Sequence, residues 1–227
     1  MDKNDHSKVL WVEGKSDMFA IAELMQANGI PWPESRRETP PVLISDRDSY
    51  RNIAKPSLSR NQLKSSNLTN FGIIVDADQN FASRWQSLRN ACLPSIPDIP
   101  TELPATGLLH THAITPERQI RFGIWIMPDN IQQGMLETFL AYVLRDKDQK
   151  LWGYAQNVVQ VARNEYNAEI KDAHIDKANI HTWLAWQDEP GLQLHTTVQK
   201  KVFDPQHSRA QEFVTWFKKL YDIEAMT

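Results

Sequence analysis

Two uninterrupted apolar runs, each followed at once by carboxylates, constrain the fold of this chain more than any other feature. Residues 9–12 lead directly into Glu13, and residues 71–75 lead directly into Asp76 and Asp78. Apolar runs of this length without polar alternation are typical of strands buried on both faces, as in parallel sheets. A helical pattern follows each run. The order therefore predicts an α/β fold whose parallel strands are joined by crossover helices.

The remaining sequence fits one such domain with an addition at its end. A chain of 227 residues is long enough for one sizeable core. We predict a mostly parallel sheet flanked by helices within residues 1–145, and a C-terminal helical extension, residues 146–227, packed on it. Residues 121–127 form a further strand in this prediction, and residues 106–110 form an antiparallel edge strand. The segment 192–203 is predicted to be extended.

The composition limits the cellular compartments and the binding partners that we expect for this chain. The net charge of -3 gives no general attraction to nucleic acid, so such contact must be local, bridged by metal ions or supplied by a partner. The single cysteine, Cys92, excludes an internal disulfide and a cysteine-based zinc site. Residues 1–6 lack the apolar core of a signal peptide, and no apolar run is long enough to span a bilayer. These features predict a cytoplasmic protein.

The carboxylates at the two strand ends predict a metal site. Asp76 and Asp78 are two residues apart in an extended chain and point to the same side. Glu13 ends the first strand, and Asp17 lies four residues later across a turn. Acidic clusters of this kind usually persist with cations between the groups, and hard oxygen ligands suit Mg²⁺ or Mn²⁺ better than zinc. A role in capping the following helices stays open. Asp-x-Asp after a strand also occurs in phosphatases, kinases and receiver domains.

The combination of the two stretches resembles the Toprim domain, the catalytic fold of topoisomerases, primases, a ribosomal-RNA maturase and the OLD-type (overcoming lysogenization defect) nucleases. The resemblance lies in Val-Glu-Gly at 12–14 and Val-Asp-Ala-Asp at 75–78. Asp17 is similar to the second acid of the OLD-type and maturase branch, which uses two metals. Most of the chain also resembles a small Toprim-related family of stand-alone bacterial proteins of unknown function. That likeness rests on residues 123–130, 134–137 and 181–187.

The resemblance implies metal-dependent hydrolysis of phosphodiester bonds. The implied catalytic residues are Glu13, Asp76 and Asp78. The implied metal ligands are Glu13, Asp17, Asp76, Asp78 and Glu137. In two-metal sites the cations flank the scissile phosphate; one activates the attacking water and the other stabilises the leaving oxygen. The protein would then be a nuclease or nuclease subunit, dependent on Mg²⁺ or Mn²⁺ and acting on DNA or RNA.

Several parts of the known Toprim proteins are missing from this sequence. It has no tyrosine-bearing topoisomerase domain, no zinc module of a primase, and no Walker motif. OLD-type nucleases carry an ATPase domain, so the resemblance implies a separately encoded ATPase partner, in a role in phage defence. They also use a basic residue near the metals, for which Lys200 or Lys201 is a candidate. A solvated lysine pair is the competing interpretation.

Two other classes of function remain open. The same fold could be a non-catalytic regulatory module that binds metal or a nucleotide. The same acids could also serve a phosphatase or a small-nucleotide hydrolase. The sequence does not choose between DNA and RNA, and a homo-oligomer is neither indicated nor excluded.

Three further groups of residues are weaker candidates. Asp129 follows a proline and is typical of a turn. Asp46 and Asp48 follow a short strand and are interpreted as loop residues. The spacing of His110 and His112 on a strand could suit a transition metal, but no third ligand of matching type is apparent. We therefore predict that the two histidines lie on a solvent-facing edge.

Overall fold

A five-stranded sheet forms the centre of the protein. The computed structural model describes residues 6–33 and 38–223. The strands are β1 (Lys8–Val12), β2 (Leu43–Asp46), β3 (Asn70–Asp76), β4 (Leu108–Thr115) and β5 (Arg118–Met127). They lie in the order β2-β1-β3-β5-β4; all are parallel except β4, which pairs antiparallel with β5 at one edge. The predicted α/β class, the mostly parallel sheet and the antiparallel edge strand are confirmed.

Helices cover both faces of the sheet. They are α1 (Lys15–Ala27), α2 (Tyr50–Ile53), α3 (Pro56–Leu63), α4 (Phe81–Cys92), α5 (Leu136–Tyr142), α6 (Gln149–Glu165), α7 (Ile175–Leu184), α8 (Leu194–Gln199) and α9 (Ser208–Tyr221). The prediction that residues 192–203 are extended is wrong, because α8 lies within them. Leu194 and Val198 are four residues apart and both are buried, so one side of this short helix packs into the core beside α1.

Alternate residues of the strands enter two separate hydrophobic clusters. Leu10 and Val12 join the cluster that contains α1, α5 and α7 to α9. Val9 and Trp11 join the cluster on the other face, which contains residues of α2, α3 and α4. This two-sided burial explains why the strand sequences are apolar throughout rather than alternating.

The last helix, α9, packs directly on the sheet. Gly72 and Gly123 are paired in neighbouring strands, and a Cβ on Gly123 would come within 2.7 Å of Leu220. The two glycines therefore let α9 approach closely. The Tyr221 hydroxyl donates a hydrogen bond to the Val9 carbonyl at 2.9 Å, and Trp216 Nε1 donates one to the Leu108 carbonyl at 2.9 Å. The helices of residues 146–227 thus share one hydrophobic cluster with the sheet of residues 1–145.

The described helices do not suit a bilayer. None of the helices in residues 6–33 and 38–223 combines the length and the apolar character needed to cross a membrane.

Candidate metal centre

Glu13 and Asp76 meet at the carboxyl edge of the sheet. β1 and β3 are adjacent and parallel, so the residues that end them lie side by side. Glu13 Oε1 accepts a hydrogen bond from the Asp76 backbone N–H at 2.9 Å. The two stretches on which the sequence prediction depends are therefore in direct contact. Ligands of open α/β sheets bind at this edge of the strands.

Asp17 joins them from the first turn of α1. Its Oδ2 accepts a hydrogen bond from the Gly14 backbone N–H at 3.0 Å, which holds the carboxylate over the turn between β1 and α1. The pKa of Asp17 is raised to about 6, first by burial and then by the charges of Glu13 and Glu137. Asp17 therefore belongs to the same electrostatic neighbourhood as the strand-end acids.

Asp76 has the most strongly perturbed carboxylate of the group. Its Oδ1 accepts a hydrogen bond from the Leu136 backbone N–H at 3.1 Å, at the start of α5. Withdrawal from water is the first cause that raises its pKa well above the ordinary value. The further causes are the charges of Asp17, Glu13, Glu137 and Asp78. The other four carboxylates predicted as metal ligands therefore all act on Asp76, and we call the five together the carboxylate cluster.

Glu137 and Asp78 each form an ion pair with a basic side chain. Glu137 is 5 % exposed in the first turn of α5, and its Oε1 lies 3.4 Å from Lys177 Nζ. Asp78 is exposed and has a positive φ of 52°, with two backbone hydrogen bonds to Gly134 at 2.8 and 2.9 Å. Its carboxylate forms an ion pair with Arg84.

Arg84 is a site residue that the sequence did not suggest. Its guanidinium carbon lies 3.7 Å from the centre of the Tyr50 ring, and its side chain is only 11 % exposed. Its charge also lowers the pKa of Glu13, although burial has the larger effect and raises that pKa overall. No local motif marks Arg84, because α4 begins three residues earlier and only tertiary packing turns this side chain toward the acids.

The donor set is all oxygen, which fits Mg²⁺ or Mn²⁺. Glu13, Asp17 and Asp76 are partly exposed, so a small ligand can reach them. Within the described residues, no three of these carboxylates bring ligand oxygens within 4.8 Å of one another. Their spacing is thus wider than that of three ligands on one ion, and the assignment of individual ligands stays a prediction.

Other predicted residues lie outside the carboxylate cluster. Asp129 Oδ1 accepts hydrogen bonds from the backbone of Ile131 and Gln132 at 3.1 and 2.8 Å, as a turn residue does. In the part of the chain that the structure describes, neither Asp46 nor Asp48 forms a hydrogen bond or ion pair with a residue of the carboxylate cluster.

The structure agrees with the interpretation of Lys200 as a surface lysine, but it contradicts the prediction for His110 and His112. Lys200 forms an ion pair with Glu189, in agreement with a surface lysine. The prediction of a solvent-facing histidine edge is wrong: His112 is 8 % exposed and packs beside Asp98. The third ligand was not apparent in the sequence because Asp98 lies in a proline-rich segment whose path only the tertiary structure determines.

Comparison with known proteins places the chain in one family. Residues 7–222 match the model of the family described as "Protein of unknown function (DUF3226)". No curated protein and no solved structure matches the chain. Because the family match spans nearly all of its length, this protein belongs to that family of proteins of unknown function.

Proposed function

We propose that this protein hydrolyses phosphodiester bonds of nucleic acid with the help of divalent cations, as a nuclease or a nuclease subunit. The observation that carries the proposal is the mutual effect of the carboxylates: the charges of four of them raise the pKa of Asp76. Such an arrangement is unfavourable by itself and becomes favourable with cations between the groups. The all-oxygen donor set suits Mg²⁺ or Mn²⁺.

Backbone hydrogen bonds orient the three central acids. Glu13, Asp17 and Asp76 each accept a bond from a main-chain N–H, at 2.9, 3.0 and 3.1 Å. Ligands that are fixed before binding lose little freedom when a cation arrives. Bound Mg²⁺ supplies positive charge for the phosphate oxygens and lowers the pKa of a water molecule.

Arg84 gives the site a positive group of its own. The Tyr50 ring and the Asp78 carboxylate hold its guanidinium at the rim of the carboxylate cluster. A planar, permanently charged guanidinium suits phosphate oxygens and stabilises the negative charge that develops on them. In this proposal Arg84 takes the role that the sequence suggested for Lys200 or Lys201.

The resemblance to OLD-type nucleases extends the proposal to a partner. The partner in this proposal is a separately encoded ATPase, and the two proteins act together in phage defence. Because the net charge is -3, we expect the contact with nucleic acid to depend on the bound cations or on such a partner.

The test uses tag-free protein stripped of metal with a chelator. Labelled single- and double-stranded DNA and RNA are incubated with it, with and without Mg²⁺ or Mn²⁺. We expect cleavage only with metal, and a loss of about 100-fold or more in Asp76→Asn, since metal-ion stabilisation amounts to several kcal/mol. Asp48→Asn, two residues after the end of β2 and outside the carboxylate cluster, is the control and should keep full activity. Equal cleavage by Asp76→Asn would contradict the proposal.

One observation favours a non-catalytic module as the second candidate. Within the described residues, two basic side chains form ion pairs with acids of the carboxylate cluster. Arg84 pairs with Asp78, and Lys177 pairs with Glu137. Few positive groups then remain for a polyanion. Thermal unfolding with Mg²⁺, and then with oligonucleotide, separates the two: stabilisation by metal without oligonucleotide binding supports the module. Turnover of mononucleotides alone would indicate a small-nucleotide hydrolase.

A further inference from the structure

Asp98, His110 and His112 form a compact group on the α4 side of the sheet, which we call the His–Asp cluster. His112 Nδ1 lies 2.6 Å from Asp98 Oδ1, and His110 Nε2 lies 3.0 Å from Asp98 Oδ2. One ligand atom from each residue lies within 4.8 Å of the other two. His110 and His112 are two residues apart on β4, so both rings point to the same face and stack with their centroids 6.5 Å apart.

The buried nitrogen of His110 is the second observation. His110 Nε2 is withdrawn from water, yet it has no hydrogen bond of acceptable geometry within the described residues. Such a group costs free energy unless a partner satisfies it. The imidazole side chains are 18 % and 10 % exposed, whereas the Asp98 side chain is 50 % exposed, so the group opens to solvent on the carboxylate side.

We infer that the His–Asp cluster binds one late first-row divalent transition-metal ion, with Zn²⁺ as the favoured ligand. Imidazole nitrogens suit zinc, copper, iron and nickel, whereas Mg²⁺ prefers oxygen ligands. Ligand atoms around a tetrahedral Zn²⁺ at about 2.0–2.1 Å are separated by roughly 3.4 Å. The distances of 2.6 and 3.0 Å to Asp98 are shorter than that value, so the side chains must move apart, by up to about 0.8 Å, when the ion enters between them. Three protein ligands leave a fourth position for water.

The His–Asp cluster is separate from the carboxylate cluster. His110 pairs with Phe122 on β5, and Asp76 pairs with Met127 on the same strand. Five residues along a strand correspond to roughly 17 Å. The two groups therefore bind independently of each other, and their donor atoms select different metals.

The bound ion joins an irregular segment to the edge strand. Asp98 lies between α4 and β4, in a segment whose Thr101 and Pro100 carbonyls already accept hydrogen bonds from Trp85 and Arg89 of α4, at 2.9 and 2.7 Å. A metal ion shared by Asp98 and the two histidines of β4 adds a connection from this segment to the sheet. Metal binding of this kind stabilises the folded state.

Nearby positive charges limit the affinity. A cavity of about 330 Å³ beside His112 is also lined by Arg60, Lys64 and Arg118. These side chains repel a cation, so we expect weaker binding than at a closed site with four protein ligands.

The experiment uses tag-free, metal-stripped full-length protein, because a histidine tag would itself bind the metal. Co²⁺ replaces Zn²⁺ as a spectroscopic probe, and bound Zn²⁺ is counted by elemental analysis after dialysis. We expect about one Zn²⁺ per chain, a visible Co²⁺ spectrum of a four- or five-coordinate site, and displacement of Co²⁺ by Zn²⁺ but not by Mg²⁺.

Matched variants locate the site. Asp98→Asn is half-exposed and keeps hydrogen-bonding atoms, so it should fold while losing the anionic ligand; His110→Asn removes a nitrogen ligand. Each should weaken binding by more than the 10–100-fold that loss of an outer-shell partner costs. His181→Asn, at an exposed helical position, should bind Zn²⁺ as the wild type does. No uptake by the wild type, or equal uptake in Asp98→Asn, would overturn the inference.

Discussion

Asparagine in place of Asp17 is expected to stabilise the metal-free protein at neutral pH. The pKa of this carboxyl is raised from 3.8 to about 6, first by burial and then by the charges of Glu13 and Glu137. The folded protein therefore holds the proton more tightly than the unfolded chain does. The stabilisation that comes from the protonated Asp17 carboxyl is complete below pH 3.8 and is lost as the pH rises through about 6.

The size of this effect follows from the difference of about 2 pH units between the pKa of Asp17 in the unfolded chain and its pKa in the folded protein. At about 1.4 kcal/mol per unit, the ionised carboxylate lowers the free energy of unfolding by up to about 3 kcal/mol at pH 7.5. At pH 4.5 the same relation lowers the free energy of unfolding by only about 1 kcal/mol. Asparagine avoids this loss, and its side-chain oxygen can still accept the hydrogen bond from Gly14 that Asp17 accepts at 3.0 Å.

Urea denaturation followed by tryptophan fluorescence measures the effect, at pH 4.5 and 7.5 with a chelator present. The free energy of unfolding of Asp17→Asn should exceed that of the wild type by up to about 3 kcal/mol at pH 7.5, and by less at pH 4.5. Asp48→Asn is the control; asparagine tolerates the positive φ of 62° at that position. Saturating Mg²⁺ should reverse the order, because the wild type then gains more. A variant no more stable than the wild type at pH 7.5 would refute the electrostatic argument.

Three other measurements test separate parts of the structure. Gly72→Ala should lower the free energy of unfolding by about 3 kcal/mol, because the new Cβ would collide with Tyr221 Oη. Gly153 lies inside α6 and has no atom within 4 Å of an added Cβ, so Gly153→Ala should instead raise the free energy of unfolding by about 0.5–1 kcal/mol. Burial raises the pKa of Cys92 to about 12, so a thiol reagent at pH 8 should leave it unmodified in the native protein and modify it fully in urea. Arg84→Met should reduce the proposed cleavage by about 100-fold without loss of folded protein, and Arg84→Lys should recover part of it; unchanged cleavage by Arg84→Met would exclude Arg84 from the site.

The sequence predicted those features that local pattern and strand direction determine. Apolar runs without alternation predicted β1 and β3, and parallel pairing then brings Glu13 and Asp76 to the same edge. Asp17 follows because the turn after β1 is short and Gly14 donates to it. The contact between Glu13 and Asp76 also requires β1 and β3 to be neighbours, which the sheet order β2-β1-β3-β5-β4 provides.

Features that depend on how helices and connections pack were not predictable in the same way. Arg84 reaches the carboxylate cluster only because α4 is rotated so that this side chain lies over Tyr50. The helix α8 has six residues and too few turns for its period to stand out, and its contact with α1 decides its conformation. Asp98 meets His112, which lies 14 positions later on β4, only through the path of the irregular segment before that strand.

The position of α9 has a consequence for synthesis on the ribosome. Ser208–Tyr221 is the last helix described, yet it covers β1, β3 and β5 and its Tyr221 carbonyl accepts a hydrogen bond from Lys8 near the opposite terminus. A nascent chain that lacks these residues presents one apolar side of the sheet to solvent or to chaperones. We therefore expect that the protein reaches its native state only after translation of α9, and that premature stop codons upstream of Ser208 yield aggregated product.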